Sequence, residues 1–187
     1  MSQLTQKTIV EATIRLVEQK TVKKITIRDI VEACGITRNT FYYYFHDIYE
    51  VLEYALAAGF ERIGAESESF EDFLGASVTF CTDYQKVLYN LYYSVGYEPL
   101  ADYLKKQIRP YLFHYLQSQN GVKEDEKLLC VLCEEAVIGT LMRWICDSRR
   151  TTDPTEMQTA IRRIPVYFNS TFSKNETNHK IEEMKDI

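Results

Sequence analysis

The residues whose types and spacing could do chemistry lie close together near the N-terminus. Residues 37–43 read Thr-Arg-Asn-Thr-Phe-Tyr-Tyr. Thr37 is placed to cap a short helix over about 38–44. Thr37, Arg38, Asn39 and Thr40 then form the polar N-terminal end of that helix. Such an end carries partial positive charge and free N–H groups, both suited to phosphate. Side chains of these types can enter a major groove about 12 Å wide and bond base edges. The phenols of Tyr42 and Tyr43 can donate to phosphate oxygens. Core filling is the competing use for Tyr42, Tyr43 and Tyr44, and it is the preferred reading for Phe41 and Phe45. Nothing comparable points to catalysis. His114 and His179 are isolated, and no Ser/His/Asp or paired-carboxylate constellation stands out, so the chain is not expected to be an enzyme. Cys130 and Cys133 have CxxC spacing, but inside an apolar helix without a second pair they make a poor zinc site. Cys34 and Cys81 read as small core residues. No metal and no cofactor is expected.

Short helices must hold that segment in place. Residues 26–45 read TIRDIVEACGITRNTFYYYF, two helices joined by a tight Cys-Gly-Ile turn, which is the helix-turn-helix pattern. Thr26 to Asp29 has capping-box form. Gly35 is placed as a left-handed stop where a Cβ would also clash. Ile27, Ile30 and Ile36 are predicted to pack these helices on the apolar side of a preceding helix over 4–20. Asp47 to Glu50 opens a helix to about 64, and Ser69 to Asp72 opens one running to about 95. A helix follows from about Pro99 to 118, with Pro110 expected to kink or interrupt it. Asn120-Gly121 reads as a stop. An apolar helix follows over 124–148. Asp153-Pro154 starts a last helix to about 172, with Pro165 as a bend. Ser173 to Ile187 read as a frayed tail.

Composition agrees with an all-α chain. It has 187 residues, 45% hydrophobic and 26% charged, with seven Gly and four Pro. That excludes a collagen-like, fully disordered or turn-rich β chain. No apolar run spans a membrane and no signal core leads the chain, so the expected compartment is the cytoplasm, with five reduced cysteines. The Asn169 and Asn175 glycosylation triplets carry little weight there. The net charge is −5, but it is unevenly spread. Residues 1–46 hold seven Lys/Arg and four acids, against 15 and 23 in the remainder. The net charge does not by itself point to a nucleic-acid binder, but a small basic head on an acidic body is an asymmetry to follow.

From about Thr8 to Leu56 the chain resembles the DNA-binding domain of TetR-family transcriptional regulators. The marks are Thr26, Ile30, the run Ala33-Cys34-Gly35-Ile36-Thr37, the aromatic end Thr40 to Phe45, and the acidic-apolar start Asp47 to Leu52. The wording of 36–45 is similar to the branch that includes regulators of dihydroxyacetone-kinase operons. The resemblance implies that Thr26, Arg28, Thr37, Tyr42 and Tyr43 hold the phosphate backbone while Arg38, Asn39 and Thr40 face base edges. Where members often carry a lysine after the terminal aromatic, this chain has His46, Asp47 and Ile48. Arg38 or Asn39 stands where a small residue is common, which should change the operator.

The implied architecture is a three-helix helix-turn-helix head at 1–46, a helical effector-binding and dimerisation body at 47–172, and a flexible tail at 173–187. Aromatic residues cluster over 84–115. Tyr84, Tyr89, Tyr92, Tyr93, Tyr103 and Phe113, with Trp144, are candidate lining for a small aromatic or amphipathic effector, against the alternative that they only fill the core. Residues 128–146 are apolar almost all round. With Gly139 as a flat spot and Val166, Tyr167 and Phe168 from the last helix, they suggest a four-helix homodimer interface. Two heads one helical turn apart would read a palindrome. The expected function is a cytoplasmic homodimeric repressor that an effector releases from its operator. The alternative is a body that binds a protein partner.

Overall fold

The computed structural model describes residues 2–118, 126–147 and 153–167. The expected stop at Asn120-Gly121, Phe168, the two glycosylation triplets and the tail lie outside the described residues. All regular structure within them is helical: α1 (Ser2–Gln19), a 3-10 turn (Val22–Lys24), α2 (Ile27–Cys34), α3 (Arg38–Tyr44), α4 (Ile48–Glu66), α5 (Phe70–Asp83), α6 (Gln85–Val95), α7 (Tyr97–Ser118), α8 (Glu126–Cys146) and α9 over 154–167. None of these helices is long and apolar enough to cross a membrane.

Side-chain caps set many of the helix starts, because the first turn of a helix leaves its N–H groups without partners. Thr26 and Asp29 form a reciprocal capping box on α2. Thr37 accepts from the Thr40 N–H at 3.1 Å to open α3. Asp47 accepts from Glu50 at 2.9 Å at α4, and Ser69 accepts from Asp72 at 3.1 Å at α5. Asp153 accepts the Thr155 N–H at 2.6 Å, with Pro154 in the first turn of α9.

By contacts the described chain forms two compact units, one from 2–65 and 80–100, the other from 66–79 and 101–167. In the first, Ile9 and Val17 of α1, Ile30 of α2, Phe41 and Phe45, and Leu52 and Phe60 of α4 are buried. Helix α6 packs against α1 and the 3-10 turn. There Asn90 donates its side-chain amide to the Val17 carbonyl at 2.6 Å, which satisfies one of the open carbonyls at the end of α1. In the second unit, Phe73 stacks on Tyr111 with ring centroids 4.0 Å apart, over a core that includes Leu104, Leu112, Val137 and Trp144. Buried Glu134 is held by a bidentate Arg109 guanidinium at 2.9 and 3.1 Å.

Three sequence expectations need correction. The helix expected over 69–95 is two helices, broken at Tyr84, where ψ is 19°. No Gly or Pro marks the break. Val87 and Leu88 of α6 are buried, and Asn90 reaches α1 from the same helix. Pro110 does not interrupt α7, which runs through it. Pro110 and Lys106, whose carbonyl loses its donor, are both exposed, so water can serve that group. Finally, Gly35 is not required by crowding. A Cβ there would meet nothing within 4 Å. Its φ of 66° is the reason for glycine.

Candidate nucleic-acid interface

The site is built on α2, the turn and α3. Helix α2 ends on left-handed Gly35, whose neighbour Ile36 donates to the Val31 carbonyl at 3.1 Å. That bond turns the chain so that Thr37 can begin α3 three residues after α2 stops. Phe41 and Phe45 anchor α3 from below, both buried and in ring contact at 6.2 Å. Burial of rings this size contributes on the order of 2 kcal/mol each. The opposite side of α3 is left outside. Tyr42 is 52% exposed and Tyr43 80%. Tyr44 is half-buried and packs edge-on against Tyr43 at 4.9 Å.

The eight residues predicted for this face do not stand alike. Arg38 and Asn39 are exposed at the start of α3. Thr40 is half-buried, and its hydroxyl lies 2.9 Å from that of Thr37. Thr37 and Thr40 therefore shape the end of the helix, and Arg38 and Asn39 project from it. Thr26 is exposed, but its hydroxyl accepts from the Asp29 N–H at 3.2 Å, while Asp29 takes the Thr26 N–H at 2.8 Å and Lys20 at 3.3 Å. The hydrogen bond from the Thr26 backbone holds the Asp29 carboxyl below its ordinary pKa. Arg28 pairs with Glu32 at 2.6 Å, and that bond holds its pKa above the ordinary value. Both partners are exposed, so the pair is screened and easily exchanged for a phosphate. The family's lysine position is filled differently in charge: His46 donates its N–H to the Glu50 carboxylate at 2.5 Å, beside the Asp47 cap.

Residues 9–55 match the family model described as bacterial regulatory proteins, tetR family. The chain carries a TetR-family head. Beyond the head, the TetR-like fold extends over the body. A structure titled dihydroxyacetone kinase operon activator DhaS superposes with a TM-score of 0.73 at 17% identity, covering 90% of this chain and 98% of that one. A TetR transcriptional regulator from Streptococcus agalactiae 2603V gives 0.65 at 19% identity, covering 92% and 95%. A tetR-family regulator from Streptomyces coelicolor gives 0.63 at 15%, covering 87% and 81%. No curated protein matches the sequence.

Of the residues predicted to line an effector site, four lie in the first unit and three in the second. Tyr84 lines a cavity of about 490 Å³ in the first unit. Tyr89, Tyr92 and Tyr93 do not line it. They form a ring cluster on α6, with Tyr93 in contact with Tyr89 at 4.8 Å and with Tyr92 at 5.6 Å, and Tyr93 is 59% exposed. In the second unit Tyr103 is half-buried, Phe113 is 41% exposed and Trp144 is buried. Sequence reasoning missed the cavity's other walls, on α1 and α4. Val10 and Ile14 are half-buried beside the core stripe of α1, and their apolar edge was the available signal. Cys133 is buried, and burial pushes its thiol up to about 12, as it does for Cys81.

Proposed function

We propose that this TetR-family transcriptional regulator is a cytoplasmic, non-enzymatic homodimer. It reads a palindromic operator, acts as a repressor and leaves the DNA when a small effector binds. The observation that carries the reading is the start of α3. Arg38 and Asn39 stand exposed on a helix whose other side is anchored by buried Phe41 and Phe45, with Tyr42 and Tyr43 exposed next to them. Arg38 and Asn39 are the base readers in this reading, and Thr26, Arg28, Thr37, Tyr42 and Tyr43 hold phosphates. The dimer is supported by apolar side chains left exposed on one chain: Leu128, Val131 and Leu132 of α8, and Val166 and Tyr167 of α9. A Cβ at Gly139 would meet nothing within 4 Å, so that stretch of α8 is open to a second copy.

Selection from random duplex DNA at near-physiological salt tests this reading. Wild type should enrich a palindrome with half-sites about one helical turn apart. Asn39→Ala should lose about 1–3 kcal/mol of preference for the selected sequence. Tyr42→Phe should weaken binding to all duplexes alike. Equal, weak and fully salt-sensitive binding of wild type to every duplex would overturn the proposal. A reporter driven through the selected operator gives the sign of regulation, which matters because one structural relative is titled an activator.

Exposed Tyr93 and Phe113 favour a second reading, in which the body binds a protein. A Tyr93→Ser/Phe113→Ser variant would then bind operator normally yet fail to regulate in cells.

A further inference from the structure

The cavity of about 490 Å³ lies within one compact unit, between α1, α4 and the Tyr84 break. Its volume is in the range of small-molecule sites, about 300–1,000 Å³. Its floor is apolar, from Val10 and Ile14 of α1, Leu52 and Leu56 of α4, and Phe80 and Val87. The Phe80 ring lies directly against Gly59, where a Cβ would stand 2.7 Å from Cε2. Phe60 meets the same ring edge-on at 5.5 Å and Tyr84 at 4.8 Å. Glycine at 59 therefore lets an aromatic wall sit flush on α4.

The charged rim residues are two cations and one acid. Lys7 and Glu11 form a loose pair at 3.9 Å, both largely exposed. Arg62 is exposed on the rim contributed by α4. The lining thus has an excess positive charge above an apolar floor. We infer that this cavity binds a small amphipathic monoanion, with its apolar body on the Val10–Ile14–Leu56 floor and its carboxylate at Arg62 and Lys7. Such a ligand wedges between α1, which packs on the helix-turn-helix, and α4. It would change how the DNA-reading helices are held. The regulatory consequence rests on the proposed DNA-binding function, but the binding site itself does not.

The test is methyl NMR of the full chain, titrated with decanoate, 4-phenylbutyrate and the neutral alcohol 1-decanol. Decanoate or phenylbutyrate should shift the methyls of Val10, Ile14, Leu52, Leu56 and Val87, and leave those of Leu104, Leu112 and Leu141 in place. Arg62→Gln, on the exposed rim, should weaken the acids about fivefold, the scale of one exposed charge contact, and leave decanol unchanged. Ala55 of α4 also lines the cavity, and Ala55→Leu should fill it and weaken all three. Shifts centred on the second unit, equal loss of acid and alcohol in Arg62→Gln, or no shift with either acid would each overturn the inference. Duplex selectivity measured on the same sample separates the two ideas. Selective DNA binding without cavity shifts defeats the site alone, and cavity shifts without selectivity defeat the regulator reading alone.

Discussion

Gly35 and Asp29 carry the geometry of the turn, and each can be tested by one substitution. Gly35 sits at φ 66° with open space where a Cβ would stand, so Gly35→Ala meets backbone strain and no collision. The expected loss is about 1 kcal/mol, read as a lower denaturation midpoint at unchanged m-value. Asp29 has a folded pKa below its ordinary value, mainly through the Thr26 N–H. The unfolded chain therefore binds this proton more readily than the folded one, and stability rises with pH through that range. The contribution is complete above the usual aspartate range and disappears as pH falls through the depressed folded value. Urea midpoints measured from about pH 5 down to about pH 2 should fall more steeply for wild type than for Asp29→Asn. This capping box was legible in the sequence because its residues are three apart and local sterics decide it. That Thr40 stands half-buried while Asn39 is exposed was not legible, because the half-burial of Thr40 and its hydroxyl contact with Thr37 are set by how α3 sits on its anchors.

At the scale of elements, the link between α1 and α6 is the one that local sequence could not supply. Asn90 reaches the Val17 carbonyl across 73 residues of chain. Asn90→Ala leaves that carbonyl without its side-chain donor, and should cost about 1 kcal/mol with the largest loss of amide protection at the end of α1. Hydrogen exchange would show it, and uniform loss of protection across the molecule would contradict it. The same contact explains why the run after Ser69 is two helices. Residues 82–86 contain no breaker, so periodicity extends the helix through them, while the packing of α6 on α1, with Val87 and Leu88 buried, goes with a change of direction at Tyr84. Pro110 shows the converse. A strong local signal yields where both the proline and the carbonyl it deprives face water.

At the scale of the whole molecule, the exposed apolar residues of α8 make assembly the measurable property. Leu132→Glu places a charge on the proposed interface without touching the buried core of Leu129, Cys133 and Val137. Sedimentation should show a shift from dimer to monomer, and operator affinity should fall by at least tenfold while nonspecific affinity falls less, because one head reads only half of a palindrome. A dimer that survives Leu132→Glu and Val131→Glu together would place the interface elsewhere. The sequence by itself determined the all-α class, the helix-turn-helix, its caps and turn, and the polar and aromatic sides of α3. These depend on contacts within a few residues and on a periodicity that any helix expresses. Tertiary structure alone decided where the aromatic residues go. Only Tyr84 of the seven predicted effector residues lines the cavity of α1 and α4. A cavity is a gap between elements, and its walls come from residues such as Ile14, Gly59 and Phe80 that have no reason to look alike or to lie near one another in the chain.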